Sequence, residues 1–242
     1  MTKNNKSKSY KSKSYKSNII LLFVAWSMLT ACQPQSTSES SIEAKKTSKQ
    51  ESMPSEHKYL DQFKQWKKTQ DLEKLQQYQS YFSSHLKQAP TLYELTFNSH
   101  PLSADCAQFR FSLPPKEYWK NLLPTLQLIE KLQHSGLFEH YKIVSVYRSR
   151  EANDCVHGAK GSQHLKNHAV DFQTLDAHKQ PYADTQVIEQ KLCHFWRKEG
   201  KRHALGLGIY GKQRFHIDTQ GYRTWGIGYK SVSSPCTTQS KS

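Results

Sequence analysis

Ile143-Val-Ser-Val-Tyr-Arg-Ser-Arg-Glu-Ala-Asn153, continuing through Ser162-Gln-His-Leu-Lys-Asn-His-Ala-Val-Asp-Phe172, is the stretch whose reading decides the fold. Residues 143–147 alternate and are β-branched, which predicts a strand with Arg148 at its end. Residues 158–161, Gly-Ala-Lys-Gly, form a loop that delivers Ser162, Gln163 and His164. The apolar pair Ala169-Val170 then carries Asp171. With a loop tip between them, His164 and Asp171 meet if the segment folds back on itself.

A second stretch supplies what the first lacks. Residues 204–210, Ala-Leu-Gly-Leu-Gly-Ile-Tyr, precede Arg214-Phe-His-Ile-Asp218 and Tyr222-Arg-Thr-Trp225. Phe215 and Ile217 alternate with His216 and Asp218, so a strand here has one apolar face and one chemical face. His216 is a candidate for the third ligand that a catalytic zinc site would need, since such a site takes three protein ligands and keeps one position open.

Three pieces in this order, Ser-x-Tyr-Arg-Ser, Ser-x-His-x6-Asp and Gly-x-Gly-x-Tyr…Phe-His-Ile-Asp…Arg-x-Trp, resemble the zinc D-Ala-D-Ala carboxypeptidase and murein endopeptidase family. That family belongs to the group that includes lysostaphin-type peptidases and the hedgehog domain. The resemblance covers residues 110–227. It implies Zn2+ on His164, Asp171 and His216, with Arg148 holding the substrate beside the metal. There are two departures. Asn167 stands where members usually have Gly, and Asn is the side chain that best tolerates a left-handed backbone. Gln213 stands where several relatives carry a carboxylate, which leaves Asp218 as base or as an orienter of His216, and His203 as a spare acid or base.

The implied chemistry is hydrolysis of peptide bonds in peptidoglycan stem peptides or cross-links, with murein endopeptidase ahead of D,D-carboxypeptidase. A non-catalytic peptidoglycan-binding lipoprotein that keeps the fold is the competing class. Alternatively, Arg148 forms a structural salt bridge with Glu151 or Asp154.

Towards the N-terminus, six lysines and no acidic residue precede the apolar run 19–29, which ends in Leu29-Thr-Ala-Cys32. This is the pattern of a secretory signal, residues 1–31, and it resembles a lipoprotein signal in which Cys32 is lipidated. The expected location is the cell envelope, lipid-anchored, and the outer membrane facing the periplasm if the cell is Gram-negative. Removing the six lysines takes the formal charge from +15 to +9. An exported protein with no nucleic-acid motif does not call for a nucleic-acid partner; anionic wall polymer or lipid headgroups suit the charge, as does plain solubility. Residues 32–56 are too poor in apolar side chains to fold and read as a tether.

Residues 57–109 read as a helical extension. Tyr59, Phe63, Trp66, Leu72, Leu75, Tyr78, Phe82 and Leu86 lie at helical spacing, as a stripe packed on the domain or else a carbohydrate or partner face. Short alternations at 92–97 and 109–112 read as strands or as an irregular extension of the core. The peptidase domain is expected over residues 110–228, with a helix from Trp119 broken at Pro124 and another capped by Asp184. The fold class is α+β: a small, mainly antiparallel sheet carries the zinc site on one face and helices on the other. Residues 229–242 read as a loose tail.

Besides Cys32, four cysteines remain, an even number that predicts two disulfides in an exported chain. Of the three connectivities, Cys155–Cys193 with Cys106–Cys236 is favoured, because the first braces the loop before His164.

Overall fold

The computed structural model describes residues 56–211 and 213–238. The expected signal, the lipidated Cys32 and the tether to residue 55 lie outside the described residues.

The chain opens with α1 (Glu56–Lys68) and α2 (Leu72–Ser83), the latter capped by Asp71, whose carboxylate accepts from Lys74 N at 3.1 Å. The aromatic stripe packs inward. Phe63 and Trp66 lie 5.2 and 5.7 Å from Phe111, Tyr59 lies 5.3 Å from Phe97, and Tyr78 and Phe82 are wholly buried.

Residues 92–97 do not form a strand. α3 (Leu92–Thr96) is a helix started by a capping box: Thr91 accepts from Glu94 N, and Glu94 accepts from Thr91 N. That Thr-x-x-Glu signature outweighs six residues of alternation. Residues 104–110 wind as a 3-10 helix, and the strand alternative at 109–112 is reduced to one bridge between Phe97 and Phe111.

α4 (Trp119–His134) runs unbroken through Pro124. The proline sits on its exposed side, where the orphaned carbonyl can be hydrated, while Leu122, Leu126, Ile129 and Leu132 are buried on the other side. Next come β1 (His140–Ser145), α5 (Arg150–Cys155), β2 (Ala169–Leu175) and α6 (Thr185–Glu199). As expected, α6 is capped by Asp184, which accepts from Gln186 N at 2.8 Å. The chain continues with β3 (Gly206–Ile209), β4 (Arg214–Asp218), β5 (Arg223–Trp225) and α7 (Pro235–Thr238).

The fold is α+β, and its sheet order is β1-β2-β4-β3-β5, antiparallel except for the β3–β5 pair. Val170, Phe172, Leu207, Phe215 and Ile217 enter one core with the α4 leucines and with Ile188 and Leu192 of α6. Fully burying each such side chain contributes roughly 1.5–3 kcal/mol. Alternation sends the intervening residues to the opposite face, where the site lies.

Both disulfides differ from the favoured pairing. Cys106 joins Cys155, and Cys193 joins Cys236. The pairing follows tertiary proximity, which spacing does not report: the 3-10 turn at 104–110 lies against α5, and α7 against α6. The second bond also corrects the loose tail, since residues 231–238 form two short helical turns with Cys236 buried.

Candidate metal centre

Register builds the centre. Asp171 on β2 and His216 on β4 are directly paired, so their side chains leave the same face side by side. His164 comes from the 3-10 turn Gln163–Lys166, which ends on Asn167 at φ 57°, ψ 35°. Asn167 thus adopts the left-handed conformation that its position requires, and its amide donates to Tyr118 O at 3.2 Å, tying the turn to the start of α4.

His164 Nε2, Asp171 Oδ1 and His216 Nδ1 converge. The separations are 3.2 Å from His164 to Asp171, 3.2 Å from His164 to His216, and 2.9 Å from His216 to Asp171. Ligands about 2.0–2.2 Å from a tetrahedral zinc lie roughly 3.3–3.6 Å apart, close to this spacing. The remaining ring nitrogens are already engaged: His164 Nδ1 with the Val146 carbonyl, and His216 Nε2 with Asp218 Oδ2 at 3.0 Å. With those nitrogens protonated, two imidazole lone pairs and a carboxylate oxygen face one another, an acceptor-only set that suits a cation. Burial, then the Arg148 charge, pushes His164 down to about 4, so its imidazole is neutral at ordinary pH. Burial opposes a charged His216, but hydrogen bonds to Asp171 and Asp218 outweigh it and raise its pKa. Burial likewise opposes a charged Asp171, yet the histidines around it hold its carboxyl well below the usual range.

Asp218 is fully buried and occupied on every side. It accepts from His216, from both terminal nitrogens of Arg223 at 3.0 and 2.6 Å, and from Gln220 N at 2.9 Å. It is placed to orient His216 rather than to meet a substrate. β3 makes room for this layer. A Cβ on Gly206 would come within 2.6 Å of Asp218 Oδ2, and one on Gly208 within 2.7 Å of Trp225 Nε1.

Arg148 follows a bulge between Ile143 and Ser145 that turns the end of β1 towards the centre. Its guanidinium reaches Ser162 Oγ at 3.1 Å and His100 Nε2 at 3.4 Å, and no ion pair to Glu151 or Asp154 forms. It lines a cavity of about 620 Å³ together with His100, His164, Asp171, Tyr210, Arg214, His216 and Trp225.

Gln213 is turned away from the cavity, its amide donating to the Tyr182 carbonyl. His203 lies outside the cavity as well, stacked on Phe195 and 3.1 Å from Lys131 Nζ. Two residues were missed from sequence. Arg214 Nη2 binds Asp171 Oδ2 at 3.0 Å, and His100 Nε2 stands 3.6 Å from the same oxygen. Arg214 could have been found, because it shares a strand face with His216 and Asp218. His100 lies in an aperiodic stretch with no such signal.

A buried His-Asp-His set with engaged outer nitrogens, opening on a cavity lined by an arginine that forms no ion pair among the described residues, defines a metal-dependent hydrolytic centre. The chain belongs to the Peptidase M15 family, whose model matches residues 96–218, and is a metallopeptidase. The resemblance to the zinc D-Ala-D-Ala peptidases is thereby shown. No curated protein matches the chain.

Proposed function

We propose that this chain is a zinc peptidase that cuts peptidoglycan cross-links, held in the cell envelope through a lipidated Cys32. The observation that carries the reading is the convergence of His164 Nε2, Asp171 Oδ1 and His216 Nδ1 beside Arg148. Bound there, zinc supplies Lewis acidity at its fourth position.

The chain's own residues do the rest. Val146 O and Asp218 fix the two imidazoles, and Arg214 occupies Asp171 Oδ2 so that Oδ1 faces the metal position. Arg148, with no ion pair of its own among the described residues, grips a substrate carboxylate or the oxyanion that develops at the scissile carbonyl. The proton acceptor is His100 rather than Asp218. Its imidazole lines the cavity, and burial lowers its pKa against the pull of the Asp171 carboxylate 3.6 Å away, which keeps it neutral.

Zinc content and muropeptide digestion, compared between the unmodified protein and His216→Ala, test this reading. One zinc per chain, with cleaved cross-links only for the unmodified protein, is expected. Release of terminal D-Ala alone would make it a carboxypeptidase, and zinc with no product would make it a binding protein.

A further inference from the structure

The family match ends at residue 218, yet the cavity does not. Past β5 the chain turns back and lines it with Ile227, Gly228, Tyr229 and Ser231. This loop is tightly fixed. A Cβ on Gly226 would lie 1.9 Å from the Ser233 carbonyl oxygen, and Gly228 and Tyr229 both have positive φ, 77° and 60°. The Ser233 hydroxyl lies 2.7 and 2.8 Å from the carbonyls of Ile227 and Lys230 and donates to them. The hydroxyls of Thr224 and Ser234 pair at 2.7 Å. Arg197 of α6 donates to Cys236 O at 3.0 Å, beside the Cys193–Cys236 disulfide. A tyrosine with positive φ is uncommon, and such strain persists where surrounding contacts over-determine it, often at ligand clamps.

Despite this anchoring, the loop leaves Ile227 71 % and Tyr229 68 % exposed. An aromatic series joins them to the centre. His216 lies 5.0 Å from Trp225, Trp225 Nε1 donates to Tyr210 Oη at 2.9 Å, and Tyr210 meets Tyr229 edge-on at 5.5 Å. The cavity thus has a polar floor around Arg148 and Asp171 and a rigid apolar rim. Its volume falls in the range that encloses a drug-sized ligand, far more than one alanine needs.

We infer that the loop at residues 226–234 grips the leaving side of a cross-linked peptide, with Ile227 and Tyr229 seating the methylene chain of its diamino acid. The inference rests on the peptidase reading. A released D-Ala is small and polar at both ends and has nothing to lay on such a rim. A diaminopimelate stem has an alkyl middle between polar ends, which is the shape that lies along an apolar surface with its heads in water.

The test uses the full chain and its Ile227→Ser/Tyr229→Ala double variant, with two defined substrates: a D-Ala–diaminopimelate cross-linked dimer and an uncross-linked pentapeptide monomer. The ratio of kcat/KM for dimer over monomer is expected to fall roughly tenfold in the variant, with the fall carried by KM; tenfold corresponds to about 1.4 kcal/mol. An unchanged ratio overturns the inference, as does an equal loss on both substrates. Binding of the two muropeptides to His164→Ala protein, with and without the double substitution, keeps the outcome independent of catalysis. If no form cleaves either substrate, the peptidase reading fails alone. A dimer preference abolished by the double substitution still supports the rim, and equal binding overturns it.

Discussion

His216 has two ring nitrogens and a carboxylate at each: Asp171 at 2.9 Å from Nδ1 and Asp218 at 3.0 Å from Nε2. Their roles differ because Asp218 has no exposed surface and spends its oxygens on Arg223 and Gln220 N, whereas Asp171 borders the cavity. Asp218→Asn should therefore weaken metal affinity about 10–100-fold, the usual cost of losing a partner behind a ligating histidine. His100→Ala should leave metal affinity within a few-fold of the parent and lower kcat about 100- to 10,000-fold. Chelator competition and steady-state kinetics on both variants check the division. A collapse of kcat with full metal content in Asp218→Asn would reverse the assignment.

At the scale of elements, the sheet works by letting adjacent strands differ in bulk. β2 and β4 carry the large polar residues, and β3 yields space with glycine. Gly208→Ala pushes a methyl to 2.7 Å from the Trp225 indole nitrogen and 3.0 Å from His216 Cβ. It should cost about 1–3 kcal/mol in stability, the range for overpacking, and weaken metal binding. Gly136→Ala meets nothing within 4 Å but has φ 74°, so it should cost about 1–2 kcal/mol and leave the metal untouched. Thermal unfolding with metal titration separates the two.

Elements were legible in the sequence where period and burial agreed. Phe215 and Ile217 against His216 and Asp218 revealed a strand and its chemical face together. The strand alternative for residues 92–97 failed because six residues hold too little periodicity to overrule a helix-capping signal. The bulge at Ile143/Ser145 that aims Arg148, and the contact that brings His100 to Asp171, arise from pairing between distant segments. Among them is Ser99 N donating to Val144 O at 2.9 Å.

At the scale of the molecule, two cystines fasten the parts that flank the sheet. Cys193–Cys236 closes a 43-residue separation and anchors the cavity rim to α6. Replacing both of its cysteines by serine should cost about 2–4 kcal/mol, read as a lower denaturation midpoint. Excess zinc should still raise the melting temperature of that variant, because His164, Asp171 and His216 hang on the sheet rather than on the rim. If zinc no longer stabilises it, the rim is part of the metal centre.

Floor and rim also differ in how they can change over time. On β3 a side chain can be added only by displacing Asp218, Arg223, Trp225 or His216, so each step there gives up chemistry before anything is gained. Ile227, Tyr229 and Val232 project into open space from a loop that holds its own shape. Descendants of this chain can therefore exchange the rim residue by residue and acquire new substrates while the hydrolytic centre is inherited intact.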